Sequence, residues 1–141
     1  MPLTLDTART IVKAAAAKGR ELDLNPLTIT VLDASGAAIL LEREDGASAI
    51  RPKVANGKAF GAIHIGMGSR GLMKRAEQQP FFIQSLNALC DGALVPVPGG
   101  VLIRESGAVI GAVGITGDTS DNDETCAIAG IEAAGLTADA G

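Results

Sequence analysis

Apolar positions recur along this chain first at helical spacing and then at every second residue, and the switches between these periods mark out its elements. Leu5, Ala8, Ile11, Val12 and Ala15 form a single stripe, predicting a helix from about Leu5 to Gly19 with Lys13, Lys18 and Arg20 in water. Thr4 is placed to cap it, and Asp6 suits the positive end of its dipole. After Pro26, Leu27-Thr28-Ile29-Thr30-Val31-Leu32 alternates apolar and polar as a half-buried strand does. Asp33-Ala34-Ser35-Gly36 is a turn, and Ala37 to Glu42 returns as the antiparallel partner.

Residues 47–90 read as helix broken by punctuation. The pattern predicts helices from Ala49 to Ile65, despite Gly57 and Gly61, and from Leu72 to Gln78, stopped by Pro80. Phe81, Phe82, Leu86 and Leu89 add a further helical turn or two, ending near Asp91-Gly92. Strand spacing resumes at Leu94 with a short strand, followed by a second hairpin, Val101 to Arg104 and Ala108 to Ile115. A last helix is expected from Asp121 to Ala134, and residues 137–141 read as a flexible tail. The sum is an antiparallel sheet with helices packed on it, a single α+β domain over residues 1–136.

Composition narrows the partners. The net charge is −4 and aromatics are 2% of the 141 residues, so both the basic footprint and the stacking platforms of a nucleic-acid binder are missing. No apolar run reaches the roughly 18 residues of a membrane span. The N-terminus shows no basic-then-apolar export pattern, so the expected compartment is the cytoplasm, with Cys90 and Cys126 as reduced thiols.

The run Leu94-Val95-Pro96-Val97-Pro98-Gly99-Gly100-Val101-Leu102-Ile103-Arg104 leads through Gly107 and Val109 to Gly114 into Asp121-Asn122-Asp123-Glu124-Thr125-Cys126. That order resembles the GlcG/HbpS-like family of small bacterial proteins, some of which bind haem; a related module forms the C-terminal part of PduO-type corrinoid adenosyltransferases. The resemblance runs from Leu3-Thr4-Leu5 to Gly130-Ile131, with Gly57-Lys58-Ala59 as a recurring step. It implies a five-stranded antiparallel sheet flanked by helices, a homo-oligomer, and a small-molecule ligand with haem as the candidate cofactor. Two departures stand out. Many relatives carry an acidic residue where this chain has Lys53, and the histidine some relatives place on the first helix or beside the first strand is absent.

His64 is the sole histidine, which excludes any metal site needing two and makes it the candidate haem ligand or general base. Met67, three residues on, shares its face if the helix continues and is a second soft ligand. Gly66-Met67-Gly68-Ser69-Arg70-Gly71 matches the dinucleotide fingerprint by letter, but it follows a helical segment rather than a strand and reads as a mobile inter-helix loop. Arg51, Lys53 and Lys58 place positive charge on one helix around Asn56, with Arg51 and Lys58 two turns apart on a common face. If that face borders Gly99 and Gly100, it makes an anion site assisted by glycine N–H groups, and Arg104 adds a further cation.

Asp121, Asp123 and Glu124 suit a helix start, and Asp123 or Glu124 is the candidate proton-transfer group of an alternative reading, a small catabolic enzyme acting on a hydroxy or keto acid. Cys126 is expected to be a packed, inert thiol beside the small residues Gly130, Ala133 and Ala134. The leading expectation is an oligomeric protein binding haem or a small acidic metabolite between the 49–65 helix and the 97–104 segment.

Overall fold

Thr4 does cap the first helix, its Oγ1 accepting the Thr7 N–H at 3.1 Å, and α1 runs Leu5–Glu21. A computed structural model describes residues 2–141. The remaining elements are β1 (Thr28–Asp33), β2 (Ala38–Arg43), α2 (Arg51–Ile65), α3 (Ser69–Gln78), α4 (Pro80–Leu89), β3 (Gly100–Glu105), β4 (Ala108–Thr116), α5 (Ser120–Ala133) and β5 (Thr137–Asp139). The strands form one antiparallel sheet in the order β2-β1-β4-β3-β5, an α+β domain as the alternation of periods predicts.

Helices cover both faces. Ile29, Val31, Val101, Ile103, Val113 and Ile115 pack under α1 and α5, while Leu32, Leu102 and Ala112 meet Ala59 and Ala62 of α2. For this reason β1 is buried on both sides: Thr28 and Thr30, expected to face water, lie beneath α2. The close approach of α2 depends on small residues. A Cβ on Gly114 would collide with the Ala55 carbonyl, and one on Gly100 with the Lys58 carbonyl. On the opposite face, Gly130 of α5 sits against the Ile11 carbonyl of α1, as its run of small residues anticipates.

The fifth strand is not where the apolar spacing placed it. Leu94–Val97 forms no strand, because Pro96 and Pro98 lack the N–H groups a ladder needs. That segment docks on α2 instead, with the Val95 N–H donating to the Gly57 carbonyl at 3.3 Å. The fifth strand is β5, within the stretch expected to be a flexible tail. It pairs with β3 through Leu102, Ile103 and Arg104, and Arg104 Nε donates to Asp139 Oδ2 at 2.9 Å. A strand of three residues is too short to register as a period in the sequence. Only its neighbour across the sheet makes it a strand.

Candidate functional site

Arg51 and Lys58 do share a face of α2, but that face turns into the protein. Lys58 Nζ donates to the Ile115 carbonyl at 2.9 Å and to Asp123 Oδ2 at 3.1 Å, and the two side chains are 3% and 1% exposed. The second carboxylate oxygen, Asp123 Oδ1, accepts the Asp118 N–H at 3.0 Å. Burial pushes the lysine down from its ordinary pKa and the aspartate up, each opposed by the charge of the other. Arg51 donates from Nη1 to Thr116 Oγ1 at 2.7 Å. The pair therefore ties α2 to β4 and α5, and Lys58, 3% exposed and held on Asp123, does not reach a ligand carboxylate outside. Asp123, enclosed with it, has no access to a substrate.

The other nominated residues are likewise committed to the fold. The Gly100 N–H donates to Ser69 Oγ at 2.7 Å, and Gly99, at φ +120, accepts the Ile115 N–H at 2.9 Å, so the glycine pair is a packing joint rather than an anion nest. Arg104 lies at the β3–β5 edge with Asp139. Glu124 receives Arg70 Nε at 2.9 Å, with Asp121 on the same guanidinium. Cys126 is buried under α1, where loss of hydration and the nearby Asp123 carboxylate push its thiol up to about 11, the inert state expected of it.

His64 is exposed on the last turn of α2, its ring 4.1 Å from that of Phe60 and its Nε2 against Gly36 of the β1–β2 turn. Met67 does not join it: Gly66, at φ +80, ends the helix, and Met67 packs towards Gly71 and the Leu72–Ile83–Leu94 cluster. The Gly66–Gly71 segment also differs from the mobile loop expected. Ser69, Arg70 and Gly71 begin α3, the Arg70 N–H donates to the Ala140 carbonyl at 3.2 Å, and Gly68 leaves no room for a Cβ beside Ala140. Those glycines admit the chain's own C-terminal backbone where a nucleotide phosphate would sit.

What remains open is a groove of about 610 Å³ between α2 and the edge strand β2, closed at one end by the Asp91–Val95 connection. It exists because α2 lies over β1, β4 and β3, leaving the α2 side of β2 uncovered. Leu41 and Ile50, 44% and 61% exposed, face into it with Val54 and Val95. The polar groups in its lining include Lys53, Asn56 and Asp91, and none of these three side chains has a hydrogen bond or ion pair among the described residues. Lys53 and Asn56 stand one turn apart on the α2 flank opposite the buried face. The first turn of α2 contains no acidic residue, so its dipole and Arg51 add to the positive field around Lys53.

The pocket was expected between α2 and residues 97–104, but that space is filled by Gly99 and Gly100. Sequence reasoning missed Asn56 and Asp91 as site residues and set Lys53 aside. The available signal was the Lys53–Asn56 spacing beside Ile50 and Val54, a mixed polar and apolar flank distinct from the Arg51–Lys58 stripe. Among the described residues, no cluster of three or more His, Cys, Asp or Glu is arranged to hold a metal ion, and no helix is long and apolar enough to cross a membrane.

Comparison with known proteins identifies the lineage. The family model described as haem degrading protein HbpS-like matches residues 3–132. This chain belongs to the HbpS-like family. A 15.0 kDa protein from the dhaT–dhaS intergenic region of Citrobacter freundii is 29% identical over 125 residues, covering 89% of this chain and 87% of that protein. The corrinoid adenosyltransferase PduO of the same organism is 26% identical over 133 residues, and the match spans 94% of this chain but only 39% of PduO. Among solved structures, a PduOC:heme complex superposes with a TM-score of 0.87 at 23% identity, covering 96% of this chain and 97% of that one. A double mutant of HbpS from Streptomyces reticuli gives 0.82 at 27% identity over 94% and 86% of the two chains. The five-stranded antiparallel sheet with flanking helices is thus the fold of the family.

Proposed function

We propose that this HbpS-like protein is a small-molecule-binding protein whose α2/β2 groove takes a small carboxylate-bearing ligand other than haem. The observation that carries this is the set of unengaged polar side chains, Lys53 and Asn56 with Asp91, in a groove of about 610 Å³ whose remaining lining is apolar but for Thr30. That volume lies within the range of ordinary ligand pockets, about 300–1,000 Å³. Membership in a family with haem-related members supports a small-molecule-binding role. Self-association would use α4, where Phe81 and Leu89 are 82% and 80% exposed.

Haem fits this groove poorly. Its iron takes an axial ligand such as His, Met, Cys or Tyr, and none of these residues lines the groove. Its two propionates would find the single cation Lys53 there. A haem held by His64 would therefore lie outside the groove, against Phe60 and the β1–β2 turn. The catalytic alternative gains nothing from the geometry, because Asp123 and Glu124 are both ion-paired.

Amide chemical-shift mapping against a panel of carboxylic acids, with hemin as a separate titration, tests this reading. Shifts confined to Leu41, Ile50, Lys53, Asn56 and Asp91, and abolished by Lys53→Glu, are expected. Shifts mapping to another surface, or a saturable Soret band lost in His64→Ala with the groove silent, would overturn it.

A further inference from the structure

A hydroxyl on the groove's floor narrows the ligand further, on the premise that the groove is the binding site. Three threonines lie together on the α2 side of the sheet: Thr28 and Thr30, two residues apart on β1, and Thr116, paired with Thr28 from β4. All three are at most 1% exposed, but their hydroxyls differ in state. Thr116 Oγ1 accepts from Arg51 Nη1 at 2.7 Å. Thr28 Oγ1 is sealed in without a partner. The Thr30 hydroxyl also has no hydrogen bond among the described residues, yet Thr30 lines the groove and Thr28 does not. The register explains the difference. On β4 the neighbour of Thr30 is Gly114, where the Ala55 carbonyl of α2 presses on the sheet; on β2 it is Leu41, 44% exposed in the groove. Thr30 thus stands on the line where the helix stops covering the sheet.

Directly paired residues project from one face of a sheet about 5 Å apart, so an occupant lying on Leu41 lies beside Thr30 as well. By excluding water there, it must supply a hydrogen-bonding atom or leave the hydroxyl stranded. We infer that Thr30 is the specificity-determining residue of the groove, its hydroxyl taking an uncharged oxygen of the ligand, a hydroxyl or a carbonyl. A threonine hydroxyl both donates and accepts, and so serves either. The oxygen is uncharged because Thr30 is almost wholly out of water, where burying a charge costs far more than burying a neutral dipole. Lys53, by contrast, is exposed and holds a carboxylate that stays hydrated. The ligand class is therefore a hydroxy or oxo carboxylic acid, in preference to a plain aliphatic one.

Matched acids differing by one oxygen test this: propionate against lactate and pyruvate, and butyrate against β-hydroxybutyrate and acetoacetate. Calorimetric titration gives affinities, and amide shifts at Leu41 and Lys53 give the location. The best oxygenated acid of each set should bind about three- to tenfold tighter than the plain one, the worth of a single neutral hydrogen bond. Thr30→Val keeps the side chain's shape and removes the hydroxyl. It should erase that ratio, with the plain acids binding at least as well as before, and it should not lower the urea midpoint, since the hydroxyl has no protein partner to lose. Thr30→Ser should preserve the ratio, and Thr30→Ala against Thr30→Ser repeats the comparison at smaller volume. Thr28→Val is the matched control, the same change two residues along the same face at a hydroxyl sealed from the groove, and should leave the ratio intact. The inference is overturned if oxygenated and plain acids bind alike, or if Thr30→Val alters the ratio no more than Thr28→Val does. It is also overturned if Thr30→Val weakens both kinds of acid equally, which would put Thr30 on the carboxylate. In each of these cases the groove still binds acids and the functional reading stands. If no acid shifts a groove amide, both fall together.

Discussion

Replacing Lys58 by methionine isolates the term that holds α2 to the rest of the molecule. In the parent, Nζ satisfies the Ile115 carbonyl and the Asp123 carboxylate, and both side chains are almost wholly out of water. Methionine fills much the same volume but leaves Asp123 buried as an anion with a single backbone donor, the Asp118 N–H. Breaking one side of a buried pair in this way costs about 3–5 kcal/mol, a large part of the roughly 5–15 kcal/mol that stabilises an ordinary domain. The double variant Lys58→Met with Asp123→Leu removes the stranded charge and should be clearly more stable than the single variant. It retains a deficit of about 1–3 kcal/mol for each backbone group left without its side-chain partner, the Asp118 N–H and the Ile115 carbonyl.

The pH dependence follows in sign. Burial already holds the Asp123 pKa above its ordinary 3.8, and loss of the Lys58 charge raises it further. A carboxyl whose folded pKa exceeds its unfolded one favours folding at low pH and loses that favour as pH rises through the folded value. The gap between Lys58→Met and the parent should therefore narrow as pH falls from 7 towards 5. Urea unfolding followed by far-ultraviolet circular dichroism is the assay, since the chain has neither Trp nor Tyr for intrinsic fluorescence. A double variant as unstable as the sum of both single variants, or a gap independent of pH, would refute the reasoning.

Four further outcomes are expected. Thr28→Val should stabilise the protein by about 1 kcal/mol, because Thr28 Oγ1 is buried without a hydrogen-bond partner; a lower thermal midpoint would contradict this. Gly114→Ala should destabilise by about 1–3 kcal/mol, since its methyl group meets the Ala55 backbone rather than a side chain able to yield, and denaturant titration measures it. In the native state at pH 8 a thiol reagent should modify the half-buried Cys90 well before Cys126, which is buried with its thiol pushed up to about 11; equal rates would show that α5 opens readily. Asp118, whose carboxylate takes hydrogen bonds from the Asn122 side chain and the Asn25 and Thr119 N–H groups, is held below the ordinary 3.8. Its contribution is present above that value and fades as pH falls below it, so Asp118→Asn should flatten the acid limb of the stability profile.

Much of the fold was legible in the sequence because it rests on local rules. The Thr4 cap, the Asp33–Gly36 turn and the apolar stripe of α1 are fixed by residues within a few positions of one another, and period alone separated the helices from the two hairpins. The fifth strand was not legible: Thr137–Asp139 is a strand only because β3 offers it an edge, while Leu94–Val97 carries a strand's apolar content but not its donors.

The site divides in the same way. The sequence determined which ionisable side chains were available and that Arg51 and Lys58 share a helix face. It could not tell that this face looks inward, since a helix stripe records relative direction and not which side meets the sheet. Tertiary packing decided that, by setting Gly100 and Gly114 against the α2 backbone and bringing Asp123 to Lys58 from 65 positions away. With those charges enclosed, the open polar side chains are the ones on the opposite flank, and the groove forms there because the edge strand β2 extends beyond the helix that covers its neighbours.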